Sequence, residues 1–160
     1  MEHNNKEWEI ISLRDRVDMS DKAAAWFHEK WNVPETVYLE SIQESQKNPS
    51  KVPQWYLVID KDKIIGGFGL IENDFHKRKD LTPNVCAVFV EKEYRNCGVA
   101  KSMLDFSCKE AQALGYSNVY LITDHEQFYE KCGWHYLCMV EEDSGQLVRM
   151  YEISTKSPSK

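Results

Sequence analysis

No stretch of this sequence approaches the roughly 20 consecutive apolar residues that a membrane-spanning helix needs. That absence excludes a helical span, and no membrane partner is expected. The opening MEHNNKEWEI lacks the basic segment and apolar core of a secretory leader, so a cytoplasmic protein is expected. The five cysteines, Cys86, Cys97, Cys108, Cys132 and Cys138, are an odd number and include no CxxC pair. Neither a disulfide framework nor a zinc site fits that spacing. The five histidines (His3, His28, His76, His125 and His135) form no HxxxH pair, so no metal is expected. Positive charge is also short, with 20 Lys and Arg against 26 Asp and Glu, for a net charge of -6. The short basic run HKRKD at 76–80 is too small to neutralise a run of phosphates, and no nucleic-acid partner is expected. An acidic chain more readily attracts a cationic amine. There is no internal repeat.

What is present is an ordinary globular composition, 42% hydrophobic and 29% charged, in a length of 160 residues that fits one domain. Residues 1–153 are expected to form it, with STKSPSK at 154–160 as a flexible tail. WEIISLR (8–14) reads as a first strand. A helix follows from Ser20 to Trp31, where Ala23, Phe27 and Trp31 recur every four residues. Pro34 opens a second helix through VYLESIQES, and the breakers in KNPSKVP end this half. QWYLVIDKDKIIGGFGLIE reads as two strands around a tight turn at residues 60–62. Gly66, Gly67 and Gly69 leave room there for another backbone or a ligand. After the charged loop NDFHKRKDLTPN comes VCAVFV (85–90), whose unbroken apolar run predicts a central strand buried on both faces. From Ala100 to Leu114, small or apolar residues at 100, 103, 104, 107, 108, 111 and 114 make one helical face that Gly115 terminates. SNVYLIT is another strand, HEQFYEKC a short helix, and WHYLCMVEE with QLVRMYEIS a closing pair of strands. The predicted class is mixed α/β, a central sheet with helices packed on it.

The stretch EYRNCGVAKSML (93–104) lies between the buried strand and the amphipathic helix. A strand, a one-glycine loop and a helix start make an anion site, because the first N–H groups of a helix have no partner within it. A pyrophosphate can accept those bonds without any charged side chain. Gly98 lets the backbone come close, Ala100 leaves room, and Lys101 adds a charge at the rim.

Here the chain resembles the GNAT acetyltransferases. Their acetyl-CoA loop, Arg/Gln-x-x-Gly-x-Gly/Ala, stands as Arg95-Asn96-Cys97-Gly98-Val99-Ala100. A second signature, aromatic-Tyr-Glu-Lys-x-Gly-aromatic, stands as Phe128-Tyr129-Glu130-Lys131-Cys132-Gly133-Trp134. The resemblance implies a GNAT-like fold with a mixed sheet, acetyl-CoA as cosubstrate, and a small-molecule or peptide amine as acceptor. It implies that the backbone of Val88, Phe89 and Val90 pairs with the pantetheine arm. The amides of Asn96, Cys97, Gly98, Val99, Ala100 and Lys101 would hold the pyrophosphate, with Arg95 beside them. It further implies Val90 N–H as oxyanion donor and Tyr129 as the acid that protonates the departing thiolate. For the general base it offers Glu72, at the end of the third strand, and His125, beside Asp124 at the end of the fifth.

Two features depart from the pattern. The segment between the fifth strand and the tyrosine is the compact Thr123-Asp124-His125-Glu126-Gln127, so the family's Asn contact to CoA does not carry over. Cys97 stands where a polar residue or glycine is common, which brings oxidation or a mixed disulfide with CoA into view. Trp26, Trp31 and Tyr38 are candidates either for the core or for an acceptor wall, and the loop NDFHKRKDLTPN is a candidate wall as well. The expected reaction is direct transfer to an amine. The alternative is a catalytically inactive acyl-CoA-binding sensor or partner-binding domain. A nucleotide-phosphate binder is weakened because the loop lacks a Gly-Lys-Ser/Thr ending. The oligomeric state is left open.

Overall fold

The computed structural model describes residues 7–156. The opening segment and the last four residues of the expected tail lie outside the described residues. Seven strands form one mixed sheet with the hydrogen-bonded order β1-β2-β3-β4-β5-β7-β6. They are β1 (Trp8–Ser12), β2 (Gln54–Asp60), β3 (Lys63–Ile71), β4 (Asn84–Val90), β5 (Asn118–Thr123), β6 (His135–Glu141) and β7 (Leu147–Ser154). The helices are α1 (Ser20–Trp31), α2 (Glu35–Lys47), α3 (Val99–Ala113) and the single turn α4 (Phe128–Lys131). Among the described residues no helix is long and apolar enough to cross a membrane. The chain divides into two compact units.

The first unit contains β1, β2, α1 and α2 with most of β3, the second half of β4 and the start of α3. Strands β1 and β2 pair antiparallel from Trp8↔Asp60 to Ser12↔Tyr56. Helix α1 stops at Asn32, whose left-handed backbone (φ 58°) turns its N–H back to the His28 carbonyl at 2.8 Å. The core is aromatic. Phe27 stacks on Tyr38 at 5.3 Å and meets Trp55 edge-on at 5.1 Å. Trp26 and Tyr38 therefore belong to the core, while Trp31 is 43% exposed. The glycines of β3 make space for this core. A Cβ at Gly67 would press on Phe27 and Trp26 at 2.9 Å, and one at Gly66 would meet the Phe89 carbonyl at 3.1 Å. Close approach at these glycines is thus to neighbouring rings and a neighbouring strand. Gln54, fully buried, donates to the carbonyls of Ser45, Asn48 and Lys51 and accepts from Arg14, which satisfies the end of α2.

Strand β4 departs from the expected two-sided burial. Asn84, Val85, Cys86 and Val90 are buried, but Ala87, Val88 and Phe89 are only half-buried. Ala87 has φ 54°, a left-handed conformation that a regular strand does not allow, so the pleat breaks there. The continuously buried strand is instead β2, from Gln54 to Ile59.

The second unit holds β5, β6, β7 and α4 with the loop from Leu70 to Cys86 and the rest of α3. Strand β7 is paired on both sides, to β5 (Leu121↔Tyr151) and to β6 (Tyr136↔Tyr151), both antiparallel. Strand β4 joins β5 in parallel through Asn84↔Tyr120. Helix α3 ends as its glycine predicts: Gly115 has φ 99°, and the Tyr116 N–H returns to the Ala111 carbonyl at 2.9 Å. The loop after β3 is anchored by His76, which is fully buried. Its Nδ1 accepts the Arg78 N–H at 3.2 Å, which leaves Nε2 to donate to Asn84 Oδ1 at 2.7 Å. Beyond β7, Thr155 is buried, and its N–H and hydroxyl bond the carbonyls of Ser117 and Tyr116.

Candidate active site

In the first unit, the residues implicated by the sequence lie along one continuous path from β4 through the loop at 91–98 into α3. The path is held at several points. The Glu91 N–H donates to the Ile65 carbonyl at 2.8 Å, and the Tyr94 N–H to the Glu91 carbonyl at 2.9 Å. The Tyr94 hydroxyl reaches Asp60 Oδ2 at 2.6 Å. Glu91 Oε2 accepts from Trp26 Nε1 at 2.8 Å and pairs with Lys30 Nζ at 2.7 Å, tying the loop to α1. Burial pushes the Glu91 carboxyl up, but the bonds from Lys30 and Trp26 outweigh it and hold the group below its ordinary range. The same bond to Glu91 holds Lys30 above its own.

Arg95 serves the architecture of this path. Its Nε donates to the Val90 carbonyl at 2.8 Å, and its guanidinium lies 5.3 Å from the centre of the Phe89 ring. The turn that follows alternates handedness, with Asn96 at φ 63° and Gly98 at φ 84°. Left-handed residues of this kind are the ones that build anion-binding nests of backbone N–H groups. At the start of α3 the Ser102 N–H donates to the Gly98 carbonyl at 3.1 Å, and a helix start presents its first N–H groups outward as an anion site. Val99, 1% exposed, anchors the helix start, while Asn96, Cys97 and Gly98 are exposed. A Cβ at Gly98 would meet nothing within 4 Å. The donor set and the open space fit a pyrophosphate. Cys97 sits at the tip with its thiol 3.5 Å from the Arg95 carbonyl.

In the second unit, Tyr129 is 8% exposed on α4. Its ring is enclosed by Phe128 at 5.0 Å, Trp134 at 6.4 Å and Tyr151 at 6.3 Å. Burial first, and Cys132 second, push its phenol above the usual 10, while the Thr123 hydroxyl pulls the other way. The phenol therefore keeps its proton through the neutral range. Thr123 Oγ1 also accepts the His125 N–H at 3.0 Å.

The two candidate bases are at strand ends, and both side chains are exposed. Glu72 follows β3 directly, its carbonyl accepting from Asn84 Nδ2 at 3.0 Å, and His125 follows β5 by two residues. A third group was not evident from sequence. Asp74 is pushed up to about 6, chiefly by burial, with His76 opposing and Glu142 adding to the rise. Its burial arises where the loop bridges to the β6–β7 turn through His76↔Glu142, a pairing across more than 60 residues that no local pattern announces. Among the described residues there is no group of three or more His, Cys, Asp or Glu arranged for a metal ion.

The sequence matches the family model of the acetyltransferase (GNAT) domain over residues 52–136. No curated protein matches it. Similar solved structures include an aminoglycoside 6'-N-acetyltransferase complexed with coenzyme A, at 16% identity and TM-score 0.70, covering 95% of this chain and 99% of that one. A spermidine N-acetyltransferase variant from Vibrio cholerae gives 16% identity and 0.65, covering 94% and 95%. A GNAT-family acetyltransferase from Staphylococcus aureus MU50 gives 22% and 0.64, covering 93% and 99%.

Proposed function

The chain belongs to the acetyltransferase (GNAT) family, and from that premise we propose that it transfers the acetyl group of acetyl-CoA directly to the primary amine of a small molecule or peptide. The observation that carries the proposal is the left-handed backbone of Asn96 and Gly98 at the start of α3, immediately after a tethered strand end. In this reading the amides of residues 96–101 hold the pyrophosphate. Arg95 acts as a strut, since its Nε bonds the Val90 carbonyl. The half-buried backbone of Val88 and Phe89, with that of Val90, receives the pantetheine arm. Val90 N–H donates to the oxygen that gains charge as the amine adds to the thioester. Tyr129 gives its proton to the departing sulfur, a task its raised pKa suits because the donor is fully protonated at neutral pH.

The attacking amine must first lose a proton. Glu72, His125 and Asp74 are the candidate bases, and the Asp74 carboxyl is pushed up to about 6, chiefly by burial, which suits proton uptake near neutral pH. The acidic chain favours a cationic acceptor. Aminoglycosides and spermidine belong in the first panel because they appear in the names of similar structures. The five cysteines form no disulfide among the described residues, which suits a reducing, cytoplasmic setting.

The test is thiol release from acetyl-CoA across a panel of amines, with wild type and Tyr129→Phe. At least one amine should be turned over. The variant should bind CoA as tightly as wild type yet lose about 100-fold or more in turnover, the usual size of a general-acid contribution. A wild type that binds CoA but releases thiol with no amine would favour the inactive sensor.

A further inference from the structure

We propose that Tyr151 is a positioning residue that holds Tyr129 in place, an inference that rests on the reading of Tyr129 as the general acid. The helix carrying Tyr129 is only four residues long, with no side-chain hydrogen bond at its N-cap. One turn of helix is not stable by itself, because nucleation costs more than a single hydrogen bond returns. Where α4 lies is therefore decided by what grips it.

Tyr151 supplies that grip. It sits in the middle strand of β5-β7-β6, opposite Leu121 on one side and Tyr136 on the other, and is wholly buried. Its hydroxyl lies 2.9 Å from the Glu126 carbonyl and 3.0 Å from Glu130 Oε2. One acceptor precedes α4 and the other lies within it, so Tyr129 is bracketed by the two. A phenol has one proton, which these two acceptors share. Burial and then the bond to Glu130 push the Tyr151 phenol upward, so it stays a donor across the working range. The charges around this point are Glu130 on α4, Glu126 before it and Arg149 on β7, with Arg149 Nη2 3.4 Å from Glu126 Oε2. Removing the hydroxyl leaves both acceptors without their shared donor and frees the turn to shift, which lets water reach the Tyr129 phenol.

The experiment is NMR titration of the full chain carrying 13Cζ-tyrosine, with the Tyr129 signal assigned by its loss in Tyr129→Phe. In wild type Tyr129 should titrate above 10. In Tyr151→Phe its midpoint should fall toward the ordinary value, while Glu130→Gln, which keeps an acceptor oxygen, should titrate like wild type. Turnover in Tyr151→Phe should drop about tenfold with KM for acetyl-CoA unchanged. A Tyr129 midpoint in folded Tyr151→Phe equal to that of wild type would overturn the proposal. Should Tyr151→Phe fail to fold, Glu130→Ala removes one of the two acceptors from an exposed residue. A partial fall in midpoint would then support the proposal, and an unmoved one would overturn it. The titration needs no acceptor and no turnover, so a chain inactive toward every amine would defeat the general-acid reading without touching the hold of Tyr151 on Tyr129.

Discussion

Tyr129 and Asp74 are both shifted by burial, yet the shift serves opposite ends. For Tyr129 it keeps the proton that the proposed mechanism has it give away; for Asp74 it brings the carboxyl up to about 6, where the proposal would have it accept one. Asp74 also carries a stability cost that can be measured. Its carboxyl titrates at about 6 in the fold against an ordinary 3.8, so the native state binds its proton more tightly than the unfolded chain does. The associated stability is fully present below pH 3.8 and is lost as pH rises through 6. At pH 8 the ionised group costs on the order of 2–3 kcal/mol. Asp74→Asn, which mimics the protonated form, should raise the melting temperature at pH 8 by about 5–10 °C, with the gain gone near pH 4. An Asp74→Asn melting curve equal to wild type at both pH values would show that the carboxylate is solvated in the native state.

At the scale of elements, β3 and β4 show what a local pattern conveys and what it does not. The helices and the strand order along the chain are legible because their signals are local: a four-residue recurrence in α1, Pro34 before α2, Gly115 after α3. The burial of β4 is not, because its half-exposed middle follows from the left-handed Ala87, and an alanine carries no mark of that conformation. Similarly, three glycines in β3 announce a close approach but not its partner. At Gly69 that partner is Trp55, whose indole N–H is fixed to Ser41 Oγ at 2.8 Å. A Cβ at Gly69 would fall 2.7 Å from Cε3 and Cη2 of that ring. Gly69→Ala should therefore destabilise the protein by about 1–3 kcal/mol, as overpacking does, read as a lower urea midpoint with unchanged slope. Unchanged stability would mean that the indole can move aside freely.

For the molecule as a whole, the division between what was legible and what was not follows the range of the contacts. The loop at 95–101 and the tyrosine of α4 each stand in a short motif, so they are found from sequence. The residues that support them come from distant parts of the chain: Glu91 is held from α1, and α4 is gripped by Tyr151 of β7. The candidate base Asp74 is obscured for the same reason, since its titration is set first by burial, and then by His76 and Glu142, which only the fold brings near it. Acceptor choice has no short motif either, and the similar structures share 16–22% identity, which conveys the fold and leaves the amine to be found.

The central claim is tested most directly by calorimetric titration of acetyl-CoA into wild type and Gly98→Glu. Gly98 has φ 84° with nothing within 4 Å of a Cβ, so the variant should fold at a cost of about 1–2 kcal/mol for the left-handed backbone. Its carboxylate would meet the pyrophosphate with like charge. The expected result is saturable one-to-one binding to wild type, weakened about 100-fold or more in the variant. A folded wild type that shows no binding, or a variant that binds equally well, would contradict the acetyl-CoA site and the acetyltransferase reading built on it.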